Sequence, residues 1–354
     1  MCPLFSASCP RLAGLALFLL GTTLACAAPA AANSTPASTV AGKKAMSASA
    51  PGSGSPPIEI KVPVWNPSGQ PVTSWLEAQV ALARLGISCG AIDGVAGAQS
   101  VAALQAWQES RRLPATGALD DATRAQLILL TPALGPVTLT ADDLAQLQPL
   151  NPTWLGKSQQ TALAYETVLE LVAERTHAHP ALIKRLNPTV DWSQPLTAGT
   201  RVTAPAVNRV TPEGMVAHLH IYLGAHTLEA RDADGGLIAH FPVSIAHMAE
   251  KRPEGELHVT VVIPGPNYTF DPAVFPESAE GRELGRKLVL PPGPNNPVGV
   301  AWIGLDRPGY GIHGTPVPEQ VGRTESHGCF RLANWDAQTL LGLAWVGLPV
   351  IVDP

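Results

Sequence analysis

The sequence predicts a multidomain chain: a small three-helix bundle, a short α/β module and a mainly-β C-terminal domain. Three observations carry this reading. The chain has 354 residues, more than one ordinary domain. Apolar residues recur at helical spacing in the first two units and alternate with period two in the third. Gly 32 and Pro 35 supply the turns and linkers that separate such units. Hydrophobic residues at 45% are ample for several cores, while 14% charged residues and a net charge of −5 exclude the basic stripe of a nucleic-acid binder. Of five cysteines, Cys2, Cys9 and Cys26 fall at the extreme N-terminus, leaving Cys89 and Cys329. That distribution excludes a disulfide-stapled scaffold and most multi-cysteine metal sites.

Residues 1–27 read as a secretory signal. Arg11 precedes the apolar run Leu12 to Ala25, too short to cross a bilayer as a helix, and small residues follow. Two cleavages compete. One follows a triplet such as Ala25-Cys26-Ala27 and releases a soluble chain. The other precedes Cys26, because Thr23-Leu24-Ala25-Cys26 resembles a degenerate lipobox, and Cys26 would then carry a lipid anchor. Either route directs the chain to the periplasm or cell envelope. Residues 28–60, rich in Ala, Ser, Pro, Thr and Gly, read as a flexible linker with too little apolar surface to offset ordering entropy.

The bundle spans 62–131. Ser74 caps a helix carrying Leu76, Val80 and Leu82 that ends at Gly86. A second helix carries Val101, Leu104 and Trp107, and Asp120 caps a third through Leu127. Cys89 reads as a small buried hydrophobe. The string Ile92-Asp93-Gly94, then Ala103-Leu104-Gln105-Ala106-Trp107-Gln108, then Gly117-Ala118-Leu119, resembles the peptidoglycan-binding module of bacterial wall hydrolases. The α/β module spans 161–205. Helices around Tyr165–Leu171 and His179–Leu186, the stop Asn187-Pro188 and a strand over Leu196–Val202 resemble a LysM glycan-binding module, with its first strand poorly marked. His177 and His179 read as surface or capping residues.

The mainly-β domain spans 215–354, with alternating strands, an Asp232-Ala-Asp-Gly235 hairpin turn, and a helix after Cys329 capped by Asn334. Residues 268–287 read as a loop overhanging a cleft. The strongest signal is Gly311-Ile-His313-Gly314-Thr315 followed by Ser326-His327-Gly328-Cys329-Phe330-Arg331. A thiol becomes a useful nucleophile through a lowered pKa or a neighbouring base, and His or Arg nearby supplies either. His313 sits on a different strand and can reach Cys329 as base. His327, two residues from Cys329, would share its face in an extended strand. Glycines at 314 and 328 leave backbone N–H groups accessible, the requirement for an oxyanion hole.

These motifs resemble those of L,D-transpeptidases with a YkuD-type catalytic domain. The resemblance implies Cys329 as nucleophile on the third residue of a peptidoglycan stem tetrapeptide, with terminal D-Ala expelled. It implies His313 as base, oriented by the Gly314 carbonyl, and the amides of His327, Gly328 and Cys329 as oxyanion donors. Arg331 would orient the site, and Ser326 and Tyr310 would contact substrate. The acyl group would pass to the amine of a second stem as a 3→3 cross-link, with a lipoprotein lysine, a D-amino acid or water as other acceptors. Peptidoglycan strands and stems are the expected partners and carbapenem-type compounds the expected inhibitors. No cofactor, metal or nucleic acid is called for, and the chain is expected to be a monomer. If His313 is the base, the rate should rise with pH through roughly 6–7. A zinc peptidase or amidase is the rival class, drawing on His218, His220, His240, His247, His258 and His313. A wall-binding protein with a decayed catalytic domain is a third.

Overall fold

The computed structural model describes residues 68–207, 212–275, 277–323 and 328–354. The leader with Cys26, the 28–60 linker, and Ser326 and His327 lie outside the described residues.

The N-terminal half begins with β1 (Gln70–Pro71), α1 (Trp75–Ala83), α2 (Ala98–Ser110), α3 (Asp121–Gln126) and β2 (Ile128–Leu129). Ser74 starts α1 with a reciprocal capping box: its hydroxyl accepts from the Glu77 amide at 3.3 Å, and the Glu77 carboxylate accepts from the Ser74 amide at 3.2 Å. Asp120 starts α3 by accepting from the Thr123 amide at 2.8 Å. β3 (Leu134–Thr138), α4 (Ala141–Ala145), α5 (Trp154–Ser158), α6 (Val168–Arg175), α7 (Pro180–Leu186) and β4 (Arg201–Pro205) follow. β3 and β4 pair antiparallel and frame the four helices α4, α5, α6 and α7 that lie between them in the chain. β3, which contains Gly135 and Pro136, lies before the 161–205 segment, whose own first element is α6, and the strand expected over Leu196–Val202 starts at Arg201. Pro195 and the Gly199 turn (φ +89°) delay it. One continuous core, including Leu82, Leu104, Trp107, Leu139, Leu171, Leu182 and Val202, runs through the bundle and this frame.

The C-terminal half is mainly β. β5 (His218–Tyr222), β6 (Thr227–Arg231) and β7 (Leu237–Pro242) form a meander turned at Asp232, whose carboxylate accepts from the Asp234 and Gly236 amides. Then come β8 (Gly255–Pro264), β9 (Tyr268–Phe270), α8 (Ala279–Leu284), β10 (Leu288–Leu290), β11 (Ala301–Leu305), β12 (Gly311–His313), β13 (Phe330–Arg331), α9 (Asn334–Leu343) and β14 (Pro349–Asp353). Eight strands make one mixed, curled sheet in the order β13-β12-β11-β8-β14-β5-β6-β7. The ten-residue β8 joins its two parts, pairing with β14 through its first residues and with β11 through its last. Leu219, Phe241, Ile303, Ile312, Phe330, Leu340 and Val350 fill the core.

The segment expected as a loop overhanging a cleft does line the cavity that holds Cys329, through Tyr268, Val274 and Phe275, but it is partly built structure: β9 and β10 pair antiparallel and α8 lies between them. Apolar Phe270, Leu288 and Leu290 explain the difference, because they bury against Leu163, Trp154 and Leu155 of the N-terminal half. Asn334 is the first helical residue of α9, not its cap. Ala333 occupies the cap position, and the Asn334 side chain is committed elsewhere.

The two halves meet along a polar seam. The Ser88 amide donates to the His240 carbonyl at 2.8 Å and its hydroxyl to Asp336 at 2.9 Å. His177, far from a plain surface residue, stacks on Trp335 with centroids 5.2 Å apart, while His179 does cap α7. Burial pushes the Asp336 carboxyl up to about 8 and the Glu174 carboxyl up to about 7.

Candidate active site

The register of three strands assembles the site. β12 and β13 run parallel, with Ile312 beside Phe330 and His313 beside Arg331. Ile312 and Phe330 are buried in the core, so alternation sends His313, Arg331 and Cys329 to the opposite face. β11 places Trp302 opposite His313, and the two rings stack with centroids 5.6 Å apart. That face opens into a cavity of about 400 Å³ lined by Cys329, His313, Arg331, Trp302, Tyr268 and Gly328, with Trp154 of the N-terminal half on its wall.

His313 is buried, and its Nδ1 lies 2.6 Å from the Gly314 carbonyl. A carbonyl only accepts, so Nδ1 carries the proton and Nε2 presents a lone pair. Burial, with a smaller contribution from the Arg331 charge, pulls the imidazole down to about 4 against the Gly314 hydrogen bond. Burial raises the Cys329 thiol, partly offset by a backbone hydrogen bond from Gly311 and by Arg331. The thiol also donates to the Gly309 carbonyl at 3.5 Å. The pair therefore rests as a neutral thiol and a neutral imidazole. A lowered thiol pKa and an imidazolium field, which the sequence left open, do not describe the resting state. The expected rate limb near 6–7 moves accordingly to about 4.

Supporting groups hold this geometry. The Asn334 Oδ1 accepts from the Thr315 amide at 3.0 Å and the Val300 amide at 3.3 Å, while its Nδ2 donates to Glu174 at 3.0 Å. A Cβ on Gly314 would meet that Oδ1 at 2.2 Å, so a side chain there would displace the turn that supplies the carbonyl for His313. Ser244 and Arg331 exchange backbone hydrogen bonds of 2.9 Å, pinning β13.

Of the residues singled out in sequence, Cys329, His313, Gly328 and Arg331 share the cavity and Gly314 holds His313. Tyr310 stands behind Gly328, where a Cβ would lie 3.8 Å from its ring, and carries Arg307 on its face at 4.5 Å. Ser326 and His327 are outside the described residues. Among the described residues no three His, Cys, Asp or Glu side chains converge as a metal site. His220, a candidate ligand in the zinc reading, instead pairs with Asp353 at 2.7 Å. Sequence reasoning missed Trp154 and the role of Asn334. Trp154 lies in a stretch without a motif, and only the apolar pattern Leu150, Trp154, Leu155 marks it for burial.

Comparison with known proteins places these halves in families. Residues 217–352 match the YkuD model, described as an L,D-transpeptidase catalytic domain, and residues 72–127 match a "Putative peptidoglycan binding domain". The chain is 24% identical over 189 residues to "Putative L,D-transpeptidase YkuD" of Bacillus licheniformis, covering 53% of this chain and 94% of that protein. Among solved structures, an Enterococcus faecium L,D-transpeptidase is 17% identical with a TM-score of 0.29, over 39% of this chain and 50% of that one, so half that enzyme's length is spanned. The catalytic domain of an E. faecium L,D-transpeptidase acylated by ertapenem is also 17% identical, TM-score 0.29, over 40% of this chain and 99% of that one. Residues 217–352 are thus matched by an L,D-transpeptidase catalytic domain, and residues 72–127, on its N-terminal side, by a peptidoglycan-binding domain.

Proposed function

We propose that the chain transfers a peptidoglycan stem peptide through a thioester on Cys329, releasing D-Ala and forming a 3→3 cross-link. The observation that carries this is the pairing, in one cavity, of a part-buried thiol with an imidazole whose Nδ1 is committed to the Gly314 carbonyl. As Sγ attacks the carbonyl of the third stem residue, Nε2 of His313 takes the thiol proton. Backbone amides of His327, Gly328 and Cys329 stabilise the oxyanion, and Arg331 offsets its charge. His313 returns the proton to the departing amine of D-Ala as the carbon–nitrogen bond breaks, leaving the thioester. The amine of a second stem then attacks, His313 takes its proton, and the new amide forms as Sγ leaves and is reprotonated. Ser326 and Tyr310 contact substrate in this reading, and the peptidoglycan-binding domain brings the site to its polymer in the cell envelope.

The test is incubation of the full chain with a stem tetrapeptide ending in D-Ala. Equal amounts of released D-Ala and cross-linked dimer are expected. D-Ala release without dimer would mean that water is the acceptor, and dimer formation by Cys329→Ala would sink the thioester.

A further inference from the structure

Two turns of the catalytic half are gripped by one stretch of the N-terminal half, Leu163 to Glu174. The Leu163 amide donates to the Pro292 carbonyl at 2.9 Å, and the Leu163 carbonyl accepts from the Asn295 amide at 3.0 Å. Asn295 Nδ2 donates to the Ala164 carbonyl at 2.8 Å and to the Glu170 carboxylate of α6. The approach is so close that a Cβ on Gly293 would fall 2.1 Å from the Leu163 carbonyl oxygen. The loop held in this way continues through Pro297 and Val298, which line the cavity with Cys329.

The second turn follows His313. One peptide plane, Gly314–Thr315, has two duties there: its carbonyl meets His313 Nδ1 at 2.6 Å, and its N–H donates to Asn334 Oδ1 at 3.0 Å. The plane is rigid, so fixing the N–H fixes the direction of the carbonyl. Because Oδ1 faces the N–H groups of both Thr315 and Val300, the Asn334 amide must keep Nδ2 on its other side. Nδ2 finds two acceptors there, the Pro294 carbonyl at 3.1 Å and Glu174 Oε2 at 3.0 Å. Glu174 stands on α6, between the family-matched segments 72–127 and 217–352, and its other oxygen accepts from the Tyr165 hydroxyl at 3.2 Å.

We propose that Glu174 is a positioning residue for His313: by holding the Asn334 amide it sets the Gly314–Thr315 plane, and with it the tautomer and aim of the imidazole. The kinetic consequence rests on the transfer reading above. A base displaced by a fraction of an ångström loses much of its rate advantage, so a brace two hydrogen bonds away from the ring reaches the chemistry without touching substrate. Glu174 is buried, with Tyr165 and Asn334 as hydrogen-bond partners and the carboxylates of Glu170 and Glu319 nearby, and its carboxyl is held at about 7. A protonated carboxyl still offers Nδ2 an oxygen lone pair, so the brace persists on both sides of that value.

The experiment compares full chains of wild type, Glu174→Gln, Glu174→Leu and Glu174→Met. It reads kcat and KM for release of D-Ala from a stem tetrapeptide, and ring-nitrogen NMR of the histidines, with His313→Gln assigning the His313 signals. Glu174→Gln keeps an oxygen for Asn334 and an amide N–H for the Tyr165 hydroxyl, so it should match wild type in kcat and in the Nδ1–H tautomer. Glu174→Leu and Glu174→Met, which lack a strong acceptor, should lower kcat about tenfold with KM within about twofold, and should show His313 as a mixture of tautomers. The two differ in shape, and thermal melts identify which is folded and read. Wild-type kcat and tautomer in a folded Leu or Met variant would overturn the proposal. So would a loss in Glu174→Gln equal to theirs, because charge rather than an acceptor would then be what His313 depends on. No D-Ala release by wild type would defeat the transfer reading, while the tautomer comparison would still decide whether Glu174 positions His313.

Discussion

Among the described residues are two thiols and two histidine–tryptophan stacks, and only one of each pair is arranged for chemistry. At the seam, Cys89 is buried with its thiol pushed far up by desolvation and by the nearby carboxylates Asp336 and Asp93, while His177 stacks on Trp335 and is held down to about 4. In the cavity, Cys329 is also raised by burial, and His313 also stacks on a tryptophan and sits at about 4. Desolvation is thus common to both and does not distinguish them. The distinction is access and orientation. Cys329 and His313 face open volume, the Gly314 carbonyl commits Nδ1 so that Nε2 can accept, and the neighbouring charge is Arg331 rather than carboxylates. Cys89 has a negative field and is 3% exposed.

The largest expected effect separates the two thiols. Cys329→Ala should lower transpeptidation by at least about 10³-fold, whereas Cys89→Ala should leave the rate within about twofold and cost about 1 kcal/mol of stability. Rates from stem tetrapeptides and thermal melts check both, and a catalytic collapse in well-folded Cys89→Ala would erase the distinction.

Next in size is the pH response. In the proposed mechanism neutral His313 is the competent base, and its pKa lies below the ordinary histidine value, so the acidic limb of kcat/KM should fall near pH 4. The rate should stay flat over roughly pH 5–8, because the raised thiol contributes no thiolate there. A limb centred near 6.5 would show that His313 is solvated or ion-paired during the reaction.

The smallest effect concerns the seam. Asp336 is pushed up to about 8 from 3.8, so the folded state keeps a proton that the unfolded chain releases. Stability from this group is present below about pH 4 and is lost as pH rises through 8; Glu174, at about 7, acts in the same direction. Asp336→Asn, with Ser88 still able to donate, should narrow the difference in Tm between pH 5 and pH 8.5. An unchanged difference would remove Asp336 from the account.

The mainly-β domain and its cysteine motif were legible because the chemistry is concentrated in short segments, His313-Gly314-Thr315 and Gly328-Cys329-Phe330-Arg331, on strands whose alternation is regular. The Gly314 carbonyl as partner of His313 followed from the resemblance and is present at 2.6 Å. Residues acting from a distance were not legible. Asn334 reads as a helix cap by local rules, yet its amide organises the turn after His313 through long-range contacts. Trp154 is 175 residues before Cys329 in a stretch with no period, and long-range contacts with Phe270 and Glu280 bring it to the cavity. β3 was hidden by Gly135 and Pro136, because pairing with β4 overrides their low strand propensity.

The most direct test of a single activated thiol is carbapenem labelling of the full chain, read by intact mass and peptide mapping. One adduct on Cys329, none on Cys89 and none in Cys329→Ala is the predicted result. An adduct that persists in Cys329→Ala, or no adduct on the wild-type chain, would contradict it.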